Sequence, residues 1–222
     1  KIIQANQLNK FWQLKIKYNE NIIETNLGML GEFQVYNALA AAAICIGLNM
    51  DQNFVLKSLA YIKNAPGRMQ ILDGHPKDAL VVIDYAHTPD ALEKTIKSLK
   101  SHLKGNLYTL FGCGGERDYA KREIMGKISE LNSNFTIITD DNPRKESAQK
   151  IRKDIIKGSP NAIEVSGRDN AIKKAISLLK KNDILLIAGK GHETTQTIGT
   201  ESLPFDDFSV AKLAIENLKN GT

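Results

Sequence analysis

The chain has 222 residues, of which 42% are hydrophobic and 25% charged, and its formal net charge is +5. This composition indicates one or two folded domains with apolar cores and excludes a disordered chain. No run of about 18 apolar residues and no secretory pattern occurs, and Lys and Arg are scattered rather than gathered into a basic tract. We therefore expect a cytoplasmic protein that has neither nucleic acid nor membrane as a partner.

The two cysteines and the first residues add two further expectations. Cys45 and Cys113 lie far apart and lack metal-ligand spacing, which argues against a disulfide framework or a zinc site and favours a reducing compartment. The chain starts at Lys1 rather than Met, and its opening segment contains no obvious core strand. We therefore expect it to be part of a longer polypeptide.

The first third of the chain predicts a β-hairpin followed by two helices. Apolar residues alternate from Phe11 to Tyr18 and recur from Ile22 to Leu27, a pattern typical of paired strands. Residues 31–47 predict an alanine-rich buried helix, and a second helix is expected after a cap at Asp51. The apolar residues expected on one face of that second helix are Phe54, Val55, Leu59 and Ile62.

Pro66 and Gly67 end this pattern, so we place a domain boundary near residue 65, between domains 1–65 and 66–222. Beyond it, short apolar runs alternate with amphipathic segments of helix length. This alternation predicts an α/β domain with a mostly parallel sheet and helices on both faces. The predicted strands are 80–84, 107–111, 135–140, 162–165 and 184–188, and the predicted helices are 89–103, 120–131, 146–156, 169–180 and 208–218.

Four of the predicted strands run into polar or glycine-rich loops. The loop sequences are DYAHTPD (84–90), GCGGERD (112–118), DDNPR (140–144) and GKGHE (189–193). Because the carboxyl ends of parallel strands lie along one edge of a sheet, and ligands bind in the crevice outside that edge, the four loops are expected to share one site.

The residues of these loops suggest binding of charged groups. Asp84 could accept hydrogen bonds from ribose hydroxyls, although an Asp and a Thr that cap the next helix are an equally good reading. Arg117 suits a carboxylate or phosphate, but GCGG could also be a simple tight turn. The chain contains no GxxxxGK[ST] sequence, so neither loop is a P-loop.

The last two loops offer groups of both charges. Asp141 and Asn142 could bind an ammonium and Arg144 a carboxylate in bidentate fashion, whereas an Asx-Pro turn is the plain alternative. In GKGHE, Lys190 or His192 could act as a general acid or base, but the sequence identifies no second member of a catalytic pair.

Six segments in register resemble the Mur ligases over residues 31–218: GEFQVYN, PGRMQ, DYAHTPD, GCGGERD, DDNPR and GKGHE. The resemblance implies ATP-dependent amide-bond synthesis in peptidoglycan assembly, with Mg²⁺ as a further cofactor. A carboxylate of UDP-MurNAc-L-Ala-D-Glu becomes an acyl phosphate, which the amino group of meso-diaminopimelate attacks. It also implies that 1–65 is the C-terminal remnant of the central ATP-binding domain and 66–222 the Rossmann-like ligase domain.

The resemblance also implies individual roles. Asn37 is similar to the adenine contact, Arg68 to the catalytic residue that faces the terminal phosphate, Asp84 to the ribose ligand, and His87 lies near the nucleotide. The residues that match the diaminopimelate-binding positions are Arg117, Asp141, Asn142, Pro143, Arg144, Gly189 and Glu193. Arg144 is expected to read the distal carboxylate, which lysine lacks, so lysine should be a poor substrate.

Some positions depart from the family pattern, and other readings remain open. Gln34 stands where relatives often carry asparagine, and Gln70 where glutamate is usual. The P-loop, the magnesium ligands and a carbamylated lysine are expected upstream, so we expect the 222-residue chain, a monomer, not to ligate by itself. The alternatives are a ligase similar to folylpolyglutamate synthetase and a noncatalytic nucleotide- or amino-acid-binding module.

Overall fold

The computed structural model describes residues 1–8 and 11–221, and the chain divides into two compact units, Lys1–Asn64 and Ala65–Thr222. The division lies one residue before the boundary expected from the sequence. Across the described residues, no helix combines the length and apolar character needed to cross a membrane.

The first unit is a three-stranded antiparallel sheet followed by helices. Its strands lie in the order β1-β2-β3, and the predicted hairpin is confirmed as β2 and β3. The first strand was not predicted, because IIQANQ lacks apolar alternation and is largely exposed. The elements are β1 (Ile2–Gln7), β2 (Trp12–Tyr18), β3 (Asn21–Leu27), α1 (Glu32–Gly47), α2 (Gln52–Ser58) and a 3-10 turn (Leu59–Tyr61).

Two expectations about the helices of this unit are wrong in detail. Only one stripe of α1 is buried, formed by Gln34, Val35, Ala38 and Ala42, because small alanine side chains make the whole segment read as apolar. Asp51 does cap α2, accepting a 2.7 Å hydrogen bond from the N–H of Phe54. The side chain of Phe54 itself is 63% exposed, rather than part of the buried face.

The second unit contains a six-stranded sheet in the order β4-β5-β9-β6-β7-β8. Every neighbouring pair is parallel except β4 and β5, which are antiparallel. The strands are β4 (Gln70–Leu72), β5 (Leu80–Asp84), β6 (Leu107–Phe111), β7 (Phe135–Ile138), β8 (Ile163–Glu164) and β9 (Ile184–Ala188), and a separate hairpin consists of β10 (Thr195–Ile198) and β11 (Glu201–Pro204). The helices are α3 (Pro89–Lys100), α4 (Ala120–Asn132), α5 (Ala148–Ile156), α6 (Arg168–Leu178) and α7 (Asp207–Asn220).

Helices cover both faces of this sheet. Every residue of β5, β6 and β9 is buried, as expected for strands covered on two sides. Alternate residues of these strands, including Val81, Ile83, Leu185 and Ile187, cluster with α6 and α7. The intervening residues point the other way, where α3, α4 and α5 pack side by side. The predicted α/β class, with a mostly parallel sheet, is therefore confirmed.

This topology brings the four loops together. Strand β9 lies between β5 and β6, and β7 lies on the far side of β6. Because these four strands are parallel, the segments that follow Asp84, Phe111, Ile138 and Ala188 leave the sheet along one edge. The strand β4 and the hairpin β10–β11 were not predicted from the sequence.

Candidate functional site

A cavity of about 600 Å³ opens at this edge of the sheet. All four loops contribute to its wall, as expected from the strand order. The lining residues are Tyr85, His87, Thr88, Pro89, Gly112, Cys113, Gly114, Arg117, Asp118, Lys121, Asp141, Asn142, Arg144, Gly189 and Glu193. Six of the seven residues predicted to bind diaminopimelate line the cavity, and Pro143 does not. Five of the six carry charged or amide groups, so the cavity can bind a ligand of mixed charge.

Arg144 is half-buried in the cavity wall, and its guanidinium is hydrogen-bonded to the backbone. One guanidinium nitrogen, Nη1, donates to the carbonyl oxygen of Gly115 at 2.9 Å. The backbone of Arg144 has a positive φ of 51°, which is uncommon outside glycine. This conformation turns the chain sharply after Pro143. Both described hydrogen bonds of the guanidinium, to the carbonyls of Gly115 and Asn142, come from Nη1.

The hairpin β10–β11 fixes the backbone of Arg144. The N–H of Arg144 donates to Thr197 at 3.1 Å, and its carbonyl accepts from the N–H of Gly199 at 2.8 Å. Gln196 adds a hydrogen bond from its side chain to the carbonyl of Asp141. The two-residue turn starts at Gly199, whose φ of 61° suits the first position of a hairpin turn. In the sequence TQTIGTES, Gly199 is the signal from which this hairpin turn could be predicted.

A glycine lets the second loop approach the DDNPR loop closely. A Cβ atom at Gly115 would overlap the carbonyl oxygen of Pro143, so no other residue fits without a shift of one loop. Pro143 is itself buried. Gly115 therefore allows two loops to pack closely beside the cavity, a role that a simple tight turn would not require.

The fully buried Arg122 contacts both the GCGGERD loop and the segment that follows DDNPR. Both Nη2 contacts of Arg122 to the carboxylate of Glu146 are short, at 3.1 and 3.0 Å, and Nη2 also lies 3.4 Å from the carbonyl of Gly114. Burial acts to raise the pKa of Glu146, but the N–H of Glu116 and the guanidinium of Arg122 outweigh it and lower this pKa. The ion pair is therefore charged at neutral pH and ties the loops together.

Three carboxylates line the cavity: the exposed Asp118, and Asp141 and Glu193. Asp141 accepts a hydrogen bond from the N–H of Asn142 at 2.7 Å and remains half-exposed. Burial acts to raise the pKa of Glu193, but Lys190 and Asn142, both hydrogen-bonded to it, lower this pKa overall. The cavity therefore holds a carboxylate that is ionised at neutral pH, suited to an ammonium group.

Three further side chains line the wall. Arg117 is exposed at the rim, and Lys121, which was not predicted, donates to the carbonyl of His87 at 2.8 Å. Burial raises the pKa of the Cys113 thiol to about 12, so this cysteine stays protonated and cannot serve as a nucleophile at neutral pH. Both cysteines of the chain are free thiols.

The carboxylate of Asp84 accepts hydrogen bonds from three donors of the protein. Its Oδ2 accepts from the N–H of Met69 at 2.9 Å, and its Oδ1 accepts from Ala86 N–H at 2.9 Å and the Thr95 hydroxyl at 3.3 Å. The residue is 9% exposed. Of the Asp and the Thr weighed as caps of the next helix, Thr88 caps α3. The role of Asp84 as a ribose ligand stays a prediction.

The remaining nucleotide-binding predictions fall on exposed residues. The guanidinium of Arg68 lies 4.5 Å from the centre of the Tyr85 ring, and His87 is exposed beside the same ring. Both residues are exposed. Asn37 lies on α1 in the first unit, where its amide donates to Gln34 at 3.0 Å. Their roles in nucleotide binding stay predictions.

A buried ion pair supports the loops that follow β7 and β9. Arg168 and Asp207 are both fully buried and form two hydrogen bonds of 2.7 Å. Arg168 also donates to the carbonyls of Ala188 at 3.0 Å and of Asp140 at 3.4 Å. These carbonyls directly precede Gly189 and Asp141, so the pair fixes the start of both loops. No local pattern in the sequence predicts this pairing.

Comparison with known proteins identifies related chains. The model of the family described as "Mur ligase, glutamate ligase domain" matches residues 67–191. A UDP-N-acetylmuramoyl-L-alanyl-D-glutamate--2,6-diaminopimelate ligase of Fusobacterium nucleatum is 42% identical over 210 residues, which cover 93% of this chain and 43% of the relative. The chain thus spans less than half the length of the curated relative that it matches.

Solved structures show the same relationship. The structure of a UDP-N-acetylmuramoyl-L-alanyl-D-glutamate--2,6-diaminopimelate ligase superposes with a TM-score of 0.76 at 33% identity, covering 98% of this chain and 45% of that one. A folylpolyglutamate synthase of Mycobacterium tuberculosis superposes with a TM-score of 0.66 at 18% identity, covering 100% and 48%, and so shares the fold alone. The family match over more than half of the residues, on the unit that carries the cavity, shows that the chain belongs to the Mur ligase family.

Proposed function

We propose that the protein takes part in the ATP-dependent joining of meso-diaminopimelate to UDP-MurNAc-L-Ala-D-Glu during peptidoglycan synthesis, as a cytoplasmic monomer. In this proposal the second unit binds the incoming amino acid, and the first unit is the end of the central ATP-binding domain. The observation that carries it is the cavity whose wall contains both Arg117 and Arg144 and both Asp141 and Glu193.

The charges of the cavity complement those of diaminopimelate. The amino acid carries two ammonium and two carboxylate groups, so its receptor needs both cations and anions. The planar guanidinium of Arg144 can form two parallel hydrogen bonds to a carboxylate. Lysine has no distal carboxylate, and binding it would bury Arg144 beside a group that cannot pair with it, a cost of about 2 kcal/mol or more.

The chemistry asked of these residues is mainly orientation. The amine of diaminopimelate gives up a proton and attacks the carbonyl carbon of the acyl phosphate; a C–N bond forms, the C–O bond to phosphate breaks, and phosphate leaves. When bound, ATP supplies the phosphoryl group that activates the carboxylate. Arg144, Asp141 and Glu193 hold the amino acid at three points, which fixes where its amine lies.

Magnesium is not assigned to residues of this chain. Within the part of the chain that the structure describes, no group of three or more His, Cys, Asp or Glu residues could hold a metal ion. The sequence also lacks GxxxxGK[ST]. We therefore expect the 222-residue chain to show no turnover of ATP and diaminopimelate, in line with the expectation from the sequence.

Calorimetry with the 222-residue chain tests the amino-acid site. Titration with meso-diaminopimelate should give saturable binding, and Arg144→Gln should weaken it at least tenfold, because a charge-assisted pair of hydrogen bonds contributes about 1.5–3 kcal/mol. The control is Lys145→Gln, which changes the neighbouring exposed lysine and should retain the affinity of the parent.

Two outcomes would contradict the proposal. Binding of ATP without any binding of meso-diaminopimelate would favour a nucleotide-binding module. Equal affinities of the parent and Arg144→Gln for meso-diaminopimelate would remove Arg144 from the site.

A further inference from the structure

Lys190 is a buried residue to which the proposed function assigns no role. It lies in the loop after β9, and its side chain is fully buried. Its Nζ lies 3.1 Å from Oδ1 of Asn142 and 3.0 Å from Oε2 of Glu193. A buried ammonium is costly unless it is paired and hydrogen-bonded, so these two contacts account for its presence.

Lys190 determines which way the amide of Asn142 points. Oδ1 of Asn142 accepts from Nζ of Lys190 and from the N–H of Thr197 at 3.0 Å, so the amide oxygen must face those two donors. The amide nitrogen Nδ2 then donates to Oε2 of Glu193 at 3.0 Å. Asn142 is 8% exposed and is therefore a connecting group between Lys190 and Glu193, with its oxygen turned away from an incoming ammonium.

Glu193 is held by one oxygen only. Both described hydrogen bonds to its carboxylate, from Lys190 and Asn142, end on Oε2. Among the described residues, no hydrogen bond to Oε1 is formed, and Glu193 lines the cavity. One carboxylate oxygen is thus fixed in the protein while the other is presented to a ligand.

From this geometry we infer that Lys190 is a positioning residue for the amino-acid substrate: together with Asn142 it holds Glu193 ionised and oriented, so that Oε1 receives an ammonium group. The inference rests on the proposed function, because it takes an amino acid as the ligand. Lys190 acts through Glu193 and does not itself contact the substrate.

A ligand-free measurement tests the first half of this inference. Carboxyl carbon NMR of Glu193 should show a higher titration midpoint in Lys190→Met than in the parent, because the partly buried carboxylate loses the cation to which it is hydrogen-bonded. Arg168 also lowers the pKa of Glu193, and both proteins retain Arg168 and the other charged residues that line the cavity, which are Arg117, Asp118, Lys121, Asp141 and Arg144. The control Lys153→Met removes an exposed lysine of α5 and should titrate as the parent does. An unchanged midpoint in Lys190→Met would overturn the inference.

A double-mutant cycle tests the second half. Lys190→Met should weaken binding of meso-diaminopimelate about tenfold or more when Glu193 is present, but less than about threefold in a Glu193→Gln background, because coupled residues are not additive. An equal loss in both backgrounds would mean that Lys190 only supports the fold, and would overturn the inference. Circular dichroism verifies folding, and Lys190→Gln replaces Lys190→Met if the latter does not fold.

The two measurements separate this inference from the proposed function. If the folded parent does not bind meso-diaminopimelate, the proposed function fails. The NMR titration of Glu193 then still decides whether Lys190 controls its carboxylate.

Discussion

Asp84 and Asp141 lie in comparable places, at or just beyond the carboxyl ends of parallel strands, yet their carboxylates have different surroundings. Asp84 is the last residue of β5, is 9% exposed and accepts from three donors of the protein. Asp141 lies beyond the end of β7, is half-exposed, and has one described donor, the N–H of its neighbour. The position at a strand end alone therefore does not identify a ligand-binding carboxylate.

The double aspartate of DDNPR explains the difference. Asp140 is the counterpart of Asp84: its carboxylate forms an ion pair with Arg152 and accepts from the N–H of Gly167 at 2.8 Å. Because Asp140 anchors the loop, Asp141 can face the cavity. The DYAHTPD loop has a single aspartate at the strand end, which serves the anchoring role.

The largest expected effect that tests this comparison is the loss of free energy of unfolding when Asp84 is replaced. Asp84→Ala leaves Met69 N–H, Ala86 N–H and the Thr95 hydroxyl without their acceptor and should lower the free energy of unfolding by about 3–5 kcal/mol. Asp141→Ala should cost less than about 1 kcal/mol, since it removes one local hydrogen bond. Urea unfolding of both variants measures this, and similar losses would contradict the contrast.

Gly115→Ala should have a smaller effect that is confined to the Asp141 side. The added Cβ overlaps the carbonyl of Pro143, so the DDNPR loop must shift, at about 1–3 kcal/mol of stability. The carbonyl of Gly115 also holds Arg144, so meso-diaminopimelate should bind more weakly. Gly28→Ala is the control, since nothing lies within 4 Å of a Cβ there. Parent-like stability and binding of Gly115→Ala would show that the contact is unimportant.

The smallest expected effect is on the pH dependence of stability and concerns His75. This buried residue lies before β5, at the edge of the sheet opposite the cavity, and both of its ring nitrogens form hydrogen bonds within the protein. Lys77 N–H donates to Nδ1, so the neutral ring carries its proton on Nε2, which donates to the carbonyl of Ile176 at 3.1 Å. Burial, aided by the charge of Lys77, lowers the pKa of His75 below its usual 6.5.

Protonation of His75 therefore favours the unfolded chain. Its contribution to stability is present above pH 6.5 and is lost as the pH falls below that value, at no more than about 1.4 kcal/mol per pH unit for one proton. Unfolding measured between pH 7 and pH 5 should show a shallower decline for His75→Gln than for the parent or for the exposed control His87→Gln. Identical slopes in all three proteins would refute this role.

The sequence predicted what depends on local patterns and missed what depends on contacts between distant segments. Strands β5, β6 and β9 have the predicted bounds, because fully buried strands read as continuous apolar runs. The convergence of four loops followed from parallel strand order. The ion pair of Arg168 with Asp207 joins residues 39 positions apart, and no local pattern signals it.

The same limit applies to the candidate site. Arg144 was selected from its motif, but the hairpin that fixes its backbone begins 51 residues later, at Thr195. The three donors to Asp84 come from two other segments and its own loop, and the local sequence does not predict them. Patterns indicate which residue types can bind; packing decides which of their atoms are free to do so.

The most direct test of the account is a set of four dissociation constants: parent and Arg144→Gln, each with meso-diaminopimelate and with L-lysine. If Arg144 reads the distal carboxylate, Arg144→Gln should weaken diaminopimelate binding at least tenfold and change lysine binding by less than about threefold. An equal loss for both ligands would show that Arg144 does not distinguish them and would contradict the central claim.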